Sequence, residues 1–276
     1  MEALRLRSMP EAQLNIEIVL NYDIYYCMTQ EKQVAVEFRN VTLRRNNRAL
    51  VSNLNFSIYK GEALVLLGRS GSGKTTTMKL INRLLAPTEG EVLFDGIPTT
   101  QWDEIKLRRR IGYVIQETGL FPHFTVERNI GLVPSLEKWK PKQIKTRAHE
   151  LLNLVGLEPS TFAQRYPHEL SGGQRQRVGV ARALAADPPM LLMDEPFGAL
   201  DPITRLEIQR EFKRLQQNLG KTVVFVTHDI QEAFVLSSRI GLMHQGELIV
   251  LEAPQQFRNS QHPEAKAFLQ CLEYSS

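Results

Sequence analysis

The fold is decided by the stretch Gly68-Arg69-Ser70-Gly71-Ser72-Gly73-Lys74-Thr75, a glycine-rich loop of the type that binds phosphate. The apolar run at residues 63–67 precedes it and predicts a strand buried on both faces. A helix is expected to begin at Lys74, run towards Leu85 and stop near Pro87. In such a loop, backbone N–H groups face phosphate oxygens at the positive end of the helix. Phosphate binding is therefore the first prediction.

A second apolar run, residues 190–193, ends in the carboxylates Asp194 and Glu195. Ligands of a parallel sheet gather at the carboxyl ends of its strands, so these acids are expected beside the phosphate loop. Lys74 would then reach the β- and γ-phosphates, and Thr75 and Asp194 would hold Mg²⁺. Glu195 would orient or deprotonate the attacking water. The alternative is an ordinary acidic strand exit, which the upstream phosphate loop and the following Pro196 disfavour.

A second diagnostic stretch is Leu170-Ser171-Gly172-Gly173-Gln174, which opens a helix expected to run to Leu184. Ser171 and the amides of Gly172 and Gly173 would form another anion site at that helix N-terminus. The alternative is a serine-capped helix with no ligand. In a single subunit this anion site would lie far from the phosphate loop. It could bind the nucleotide only if two subunits came together.

Together and in this order, these motifs resemble the nucleotide-binding subunit of an ATP-binding cassette (ABC) transporter, from Val34 onward. The resemblance implies an α/β P-loop NTPase (RecA-like) core with an antiparallel β subdomain and an inserted α-helical subdomain at about 117–186. It also implies a homodimer, or a heterodimer with a like subunit, that encloses two Mg·ATP. Ala199-Leu200-Asp201 matches the D-loop that crosses that interface.

The same resemblance implies roles for two isolated polar residues. Gln116 matches the Q-loop residue that senses Mg²⁺ and the lytic water, and His228 matches the switch histidine at the γ-phosphate. Without it, each is an ordinary polar residue at a strand end. Catalysis is thus assigned to Glu195, His228 and Gln116, and Mg²⁺ to Thr75, Gln116 and Asp194. The remaining nucleotide contacts are expected at Gly68, Arg69, Ser70, Gly71, Ser72, Gly73, Lys74, Thr75, Thr76, Arg45, Ser171, Gly172, Gly173, Gln174 and Asp201.

The sequence departs from the family pattern at three places. Arg45 stands where an aromatic residue usually stacks on adenine, and a guanidinium can also stack on a purine. Arg69 stands where proline or a smaller residue is common. The sequence ends at Ser276 without the regulatory tail domain of several osmoprotectant ATPases, so ionic-strength sensing is not expected.

The remaining elements follow from local patterns. Residues 34–38 and 54–58 predict an antiparallel β layer, with a polar stretch at 44–48 between them. Strands are also expected at 111–115, 190–193 and 223–226. Asp201-Pro202 predicts a helix start and Gly220 its end. Two strands around Gly246 and a helix at 264–272 complete the domain.

Composition limits the possible classes. The chain has 276 residues, 42% of them hydrophobic, a net charge of +4 and two cysteines, Cys27 and Cys271. These values favour a globular protein in a reducing compartment, without a disulfide framework. No run approaches the roughly 18 apolar residues of a membrane span, so work at a membrane requires a partner. Residues 1–33 are treated as an N-terminal extension, either a disordered tail or the result of a start site at Met28.

Residues 75–84 with Pro87-Thr88, and residues 111–116 with 119–123, are similar to the ATPase subunits of importers for quaternary-amine osmoprotectants such as glycine betaine, choline or carnitine. Importers of amino acids or sulfonates, a nucleic-acid-associated ABC ATPase and a non-hydrolytic scaffold are the alternatives. The expected partners are integral-membrane permease subunits, contacted through residues 119–124, and indirectly an extracytoplasmic solute-binding protein. Residues 119–124 could instead simply pack the helical subdomain. The expected location is peripheral, on the cytoplasmic face of the inner membrane, and no nucleic acid is expected.

Overall fold

Two β-sheets organise the chain, and the phosphate loop leaves the larger one. The computed structural model describes residues 33–116, 119–198 and 200–273. Its strands are β1 Val34–Arg45, β2 Arg48–Tyr59, β3 Ala63–Leu67, β4 Glu89–Phe94, β5 Ile97–Pro98, β6 Ile111–Val114, β7 Met190–Asp194, β8 Thr222–Thr227, β9 Arg239–His244 and β10 Glu247–Glu252. The smaller sheet has the order β2-β1-β4-β5, and the larger one β10-β9-β3-β8-β7-β6.

The helices of the described residues lie mainly between these strands. They are α1 Lys74–Ile81, α2 Glu104–Arg109, α3 Val126–Ile130, α4 Leu132–Leu136, α5 Pro141–Leu154, α6 Pro159–Phe162, α7 Gly172–Leu184, α8 Pro202–Leu219, α9 Ile230–Leu236, α10 Pro254–Phe257 and α11 Pro263–Glu273. Short 3₁₀ turns occur at Thr99–Gln101 and Pro167–Glu169. Within the described part of the chain, no helix combines the length and apolar character needed to cross a membrane.

The smaller sheet confirms the predicted antiparallel layer but extends it. Strands β1 and β2 pair as far as Arg45 opposite Arg48, so residues 44–48 are not a loop between them. Only Asn46 and Asn47 turn the chain, with φ of 50° and 58°. Asparagine tolerates this left-handed region better than most residues do, which is why a two-residue hairpin forms here.

The larger sheet places the phosphate loop in its middle. Strand β3 is fully buried and lies between β8 and β9, to which it pairs in parallel. Its side chains alternate between two hydrophobic cores: Val65 and Leu67 belong to one cluster, and Leu64 and Leu66 to the other. Because β3, β7 and β8 are parallel, their carboxyl ends share one edge of the sheet.

Helix α1 is shorter than predicted. It ends at Ile81 rather than near Leu85, because Arg83 adopts a positive φ of 53°. The N–H of Leu85 then donates to the carbonyl of Lys79 at 3.0 Å, a bond that closes helix C-termini. Pro87 therefore does not terminate the helix, because the helix has already ended at Ile81.

The segment between β6 and β7 is helical, as predicted. Helices α3 to α7 occupy it, and no strand occurs among its described residues 119–186. The subdomain boundaries at about 117 and 186 stay a prediction, and Glu117 and Thr118 lie outside the described residues, as do residues 1–32 of the N-terminal extension. Helix α8 begins at an Asp201 cap followed by Pro202 and ends at Gly220, as the sequence predicted.

Candidate nucleotide-binding and catalytic site

Lys74 is held inside its own loop. Its Nζ donates to the carbonyls of Gly68 at 2.7 Å and Arg69 at 2.9 Å, and the residue is 5% exposed. Burial lowers the pKa of Lys74, while the nearby Glu195 and Asp194 oppose that shift. An ammonium that already sits on exchangeable carbonyls can transfer to phosphate oxygens without a large rearrangement.

The loop lines a pocket of about 1000 Å³, which accommodates a ligand of nucleotide size. Its walls come from the phosphate loop, the start of β2, the carboxyl edge of the sheet and the β9–β10 turn. The lining residues are Arg48, Ala49, Leu50, Arg69, Ser70, Gly71, Ser72, Gly73, Lys74, Thr75, Thr76, Gln116, Glu195, His244, Gln245 and Gly246.

Gly68 allows the loop to pass close to the neighbouring strand. Its φ is 159°, and a Cβ there would lie 2.4 Å from the carbonyl oxygen of Met243. Gly71, by contrast, has a φ of 78° and nothing within 4 Å of the same position. Substitution of Gly68 therefore tests the close approach to Met243, whereas substitution of Gly71 tests only the backbone strain of a positive φ.

Gly68→Ala is expected to destabilise the nucleotide-free chain by about 3 kcal/mol or more, because its methyl group would overpack against the carbonyl oxygen of Met243. Gly71→Ala, the matched control, should cost about 1–2 kcal/mol from backbone strain alone. Urea denaturation followed by circular dichroism measures both. Equal losses for the two variants would contradict the close approach at Met243.

Thr75 and Asp194 form the pair that fits a magnesium ion. The Oγ1 of Thr75 donates to the Oδ1 of Asp194 at 3.0 Å, and Asp194 is 8% exposed. Burial is the main cause of the raised pKa of Asp194, and the bond from Thr75 works against it. A buried carboxylate beside a hydroxyl oxygen supplies the hard oxygen ligands that Mg²⁺ prefers. The cation would also offset the cost of burying that charge.

Glu195 contacts both of the other residues to which catalysis was assigned, His228 and Gln116. Its Oε1 lies 3.2 Å from Nδ1 of His228, and its Oε2 accepts from Nε2 of Gln116 at 3.4 Å. Its backbone has a φ of 43° and is fixed by an N–H bond to the carbonyl of Val226 at 2.9 Å. Such a conformation is costly for glutamate and is typical of functional sites. The structure brings the three together, and their chemical roles stay predictions.

The second diagnostic stretch does not line this pocket. Ser171 is exposed and caps α7: its Oγ accepts from the N–H of Gln174 at 3.2 Å, and the side chain of Gln174 accepts from the N–H of Ser171 at 2.9 Å. Gly172 and Gly173 begin the helix itself. Asp201 likewise caps α8, accepting from the N–H of Thr204 at 3.1 Å. These residues have local structural roles within one subunit, and their nucleotide contacts stay predictions.

Of the two arginines assigned to the nucleotide, Arg69 lines the pocket and Arg45 does not. Arg45 lies at the exposed end of β1, whereas Arg48, its partner in the hairpin, is on the pocket wall. The adenine contact of Arg45 therefore stays a prediction. Arg69 has a partner that the sequence did not reveal, because its Nε donates to Glu264 of α11 at 2.7 Å.

The turn between β9 and β10 at Gly246 was predicted, but its contacts with the phosphate loop and β2 were not. The N–H of Gly246 donates to the carbonyl of Ser72 at 3.0 Å, and the carbonyl of Gly246 accepts from the N–H of Ser52 at 2.9 Å. The turn thus joins the phosphate loop to β2. The glycine at this turn was the only local signal, and it did not indicate what the turn would contact.

The geometry agrees with the result of a family comparison, since the family model described as ABC transporter matches residues 51–198. The chain belongs to the ABC transporter family. This ABC cassette is 56% identical over 210 residues to the choline transport ATP-binding protein OpuBA of Bacillus subtilis (strain 168), covering 76% of the cassette and 55% of OpuBA. It is 52% identical over 214 residues to the glycine betaine uptake system ATP-binding protein YehX of Escherichia coli (strain K12). That match covers 78% of the cassette and 69% of YehX.

Solved structures support the same assignment. The cassette resembles the dimeric post-hydrolysis state of the ATP-binding cassette MJ0796 bound to ADP and Pi, with 40% identity and a TM-score of 0.71 over 79% of this chain and 98% of that one. It also resembles cbiO1 from Clostridium perfringens, with 28% identity and a TM-score of 0.77; the match covers 83% of this chain and 92% of cbiO1. The predicted fold class and family are confirmed. The cassette spans about half the length of curated relatives such as OpuBA.

Proposed function

We propose that this ABC cassette is the ATP-hydrolysing subunit of an importer for a quaternary-amine osmoprotectant such as glycine betaine or choline. The observation that carries the hydrolytic part is the position of Glu195 between Gln116 and His228, beside the phosphate loop. The cargo class is supported by relatives at 52–56% identity, whose names refer to choline, carnitine and glycine betaine.

In this proposal each residue acts on a defined part of bound ATP. The loop amides and Lys74 hold the β- and γ-phosphates, and Thr75 and Asp194 hold Mg²⁺. The metal supplies charge neutralisation at the phosphate oxygens. Glu195 accepts a proton from the attacking water or orients it, while His228 binds the γ-phosphate.

Two copies would close on two nucleotides, with Ser171 and the following glycines of one subunit facing the phosphate loop of the other. This arrangement is supported by the exposure of Ser171 and by its absence from the pocket lining of its own subunit. The dimeric state in the name of the MJ0796 structure is a further support. Hydrolysis and reopening would then drive the permease between its two orientations.

Residues 119–124 are the proposed permease contact. Phe121 is 41% exposed, and the loop around it is held by the fully buried Asn129, whose Nδ2 donates to the carbonyls of Phe121 and Phe124 at 3.1 Å. Arg182 of α7 also donates to the carbonyl of Gly119 at 2.7 Å. An exposed apolar side chain on an anchored main chain, shortly after Gln116 in the sequence, is suited to transmit movement of the site to a membrane partner.

Uptake in cells tests the function. In a strain without osmoprotectant importers, the cassette, co-expressed with the permease and binding protein of neighbouring reading frames, should support uptake of labelled glycine betaine or choline. Lys74→Ala should reduce uptake by about 100-fold or more, because phosphate binding is lost. Lys60→Ala, a largely exposed lysine, is the matched control and should have no effect. Uptake of amino acids or sulfonates alone would contradict the cargo assignment.

A further inference from the structure

Glu232 is a buried carboxylate that the proposed mechanism does not use. It lies in the first turn of α9 and is 4% exposed. The hydroxyl of Thr227 donates to its Oε2 at 2.5 Å, and Nε2 of Gln209 donates to its Oε1 at 3.0 Å. Both carboxylate oxygens are therefore fixed by neutral donors, from strand β8 and from helix α8.

These contacts fix the backbone on both sides of His228. Thr227 is 2% exposed, and its Oγ1 also accepts from the N–H of Asp229 at 3.0 Å. The carboxylate of Asp229 in turn accepts from the N–H of Gln231 at 2.7 Å. The His228 side chain between them is 62% exposed. Its ring is free to meet a ligand while its main chain is anchored.

The same network reaches helix α8. Gln209 is 3% exposed on that helix, and Nη1 of Arg205 lies 3.6 Å from the carboxylate of Asp229. The Nη2 of Arg205 also donates to the carbonyl of Leu200, just before the Asp201 cap. Arg205 therefore connects the start of α8 to the His228 segment, through a hydrogen bond to Leu200 and an ion pair with Asp229.

A carboxylate is an expensive choice for this position. Burial is the main cause of the raised pKa of Glu232, and the bond from Thr227 only partly opposes it. Apolar residues of similar volume often replace buried charged groups without loss of stability. Packing alone does not require a carboxylate here. A role in positioning neighbouring residues would explain why the free-energy cost of burying Glu232 is tolerated.

We propose that Glu232 is a positioning residue for His228: it fixes Thr227 and hence the separation of His228 from Glu195, and through Gln209 it links that separation to α8. The inference rests on the proposed ATPase function. Loss of the carboxylate would leave the hydroxyl of Thr227 without its acceptor and displace His228 from the γ-phosphate, while Thr227 keeps its place in β8 beside Leu67.

Kinetics of the full chain test this with matched pairs. Glu232→Ala and Thr227→Val are expected to lower kcat roughly tenfold or more and to leave KM for ATP within about twofold. Glu232→Gln and Thr227→Ser retain hydrogen-bonding atoms and should recover most of the rate. In a His228→Ala background, Glu232→Ala should have less than about a twofold further effect, because the two residues act as one unit. Equal losses in both backgrounds would overturn the proposal.

A second measurement does not depend on activity. The chain has six histidines, so NMR of their ring signals in the nucleotide-free protein gives five internal controls. Glu232→Ala should move or broaden the His228 signal, assigned through His228→Gln, and leave the others in place. An unchanged His228 signal, or equal changes in all six, would overturn the inference. An inactive wild-type protein would count against the ATPase function instead, and the NMR result would still decide the role of Glu232.

Discussion

Glu195→Gln is expected to reduce ATP turnover by about 100-fold to 1000-fold while ATP binding is kept. Glutamine has the same shape, so its contacts with Gln116 and His228 can persist, but it cannot accept a proton from water. The phosphate loop and the Thr75–Asp194 pair are untouched. ATP that binds and is not hydrolysed should then hold two subunits together. Steady-state turnover and light scattering with Mg·ATP measure the two effects.

The matched control is Glu247→Gln, an exposed glutamate on β10 outside the pocket lining. It should leave turnover and association unchanged. If Glu195→Gln hydrolysed ATP at the wild-type rate, Glu195 could not be the residue that accepts a proton from the attacking water. Loss of ATP binding in that variant would show that Glu195 acts mainly in holding the nucleotide.

Much of this site follows from contiguous sequence. The phosphate loop and the carboxylates after β7 each lie within a few residues, so a local pattern specifies them. The helix caps Ser171 and Asp201 were predictable for the same reason, since a cap is satisfied within three residues. Parallel strands then bring Glu195 and His228 to one edge, which the sequence implies once both strands are recognised.

The remainder depends on contacts between distant segments. Arg48 reaches the pocket wall because the β1–β2 hairpin turns in two residues, and the sequence pattern had placed a loop there. The pairing of Arg69 with Glu264 joins residues that are 195 positions apart. Nothing in the local composition of either segment indicates the other. Contacts of this kind require the order of the strands and the register between them.

Mixing two inactive subunits is expected to restore ATP hydrolysis. In Ser171→Asp, helix α7 keeps a capping side chain, because aspartate is as good an N-cap as serine. The added negative charge would, however, face the nucleotide phosphates bound by the other subunit. Lys74→Ala removes the phosphate contact of the other half-site. A mixed dimer of these variants has one doubly defective site and one intact site. Because half the dimers are mixed, single-turnover hydrolysis should return to about a quarter of the wild-type level.

The converse mixture separates shared sites from sites within one chain. When both substitutions are on one subunit, a mixed dimer with the wild type has a defect in each site. Equal mixing should then give about a quarter of the activity of undiluted wild type, contributed by wild-type dimers alone. Sites enclosed by one chain would instead give about half in this mixture and none from the two single variants. That pattern would exclude Ser171 from the nucleotide site of a partner, and the proposed coupling between dimer closure and transport would lose its basis.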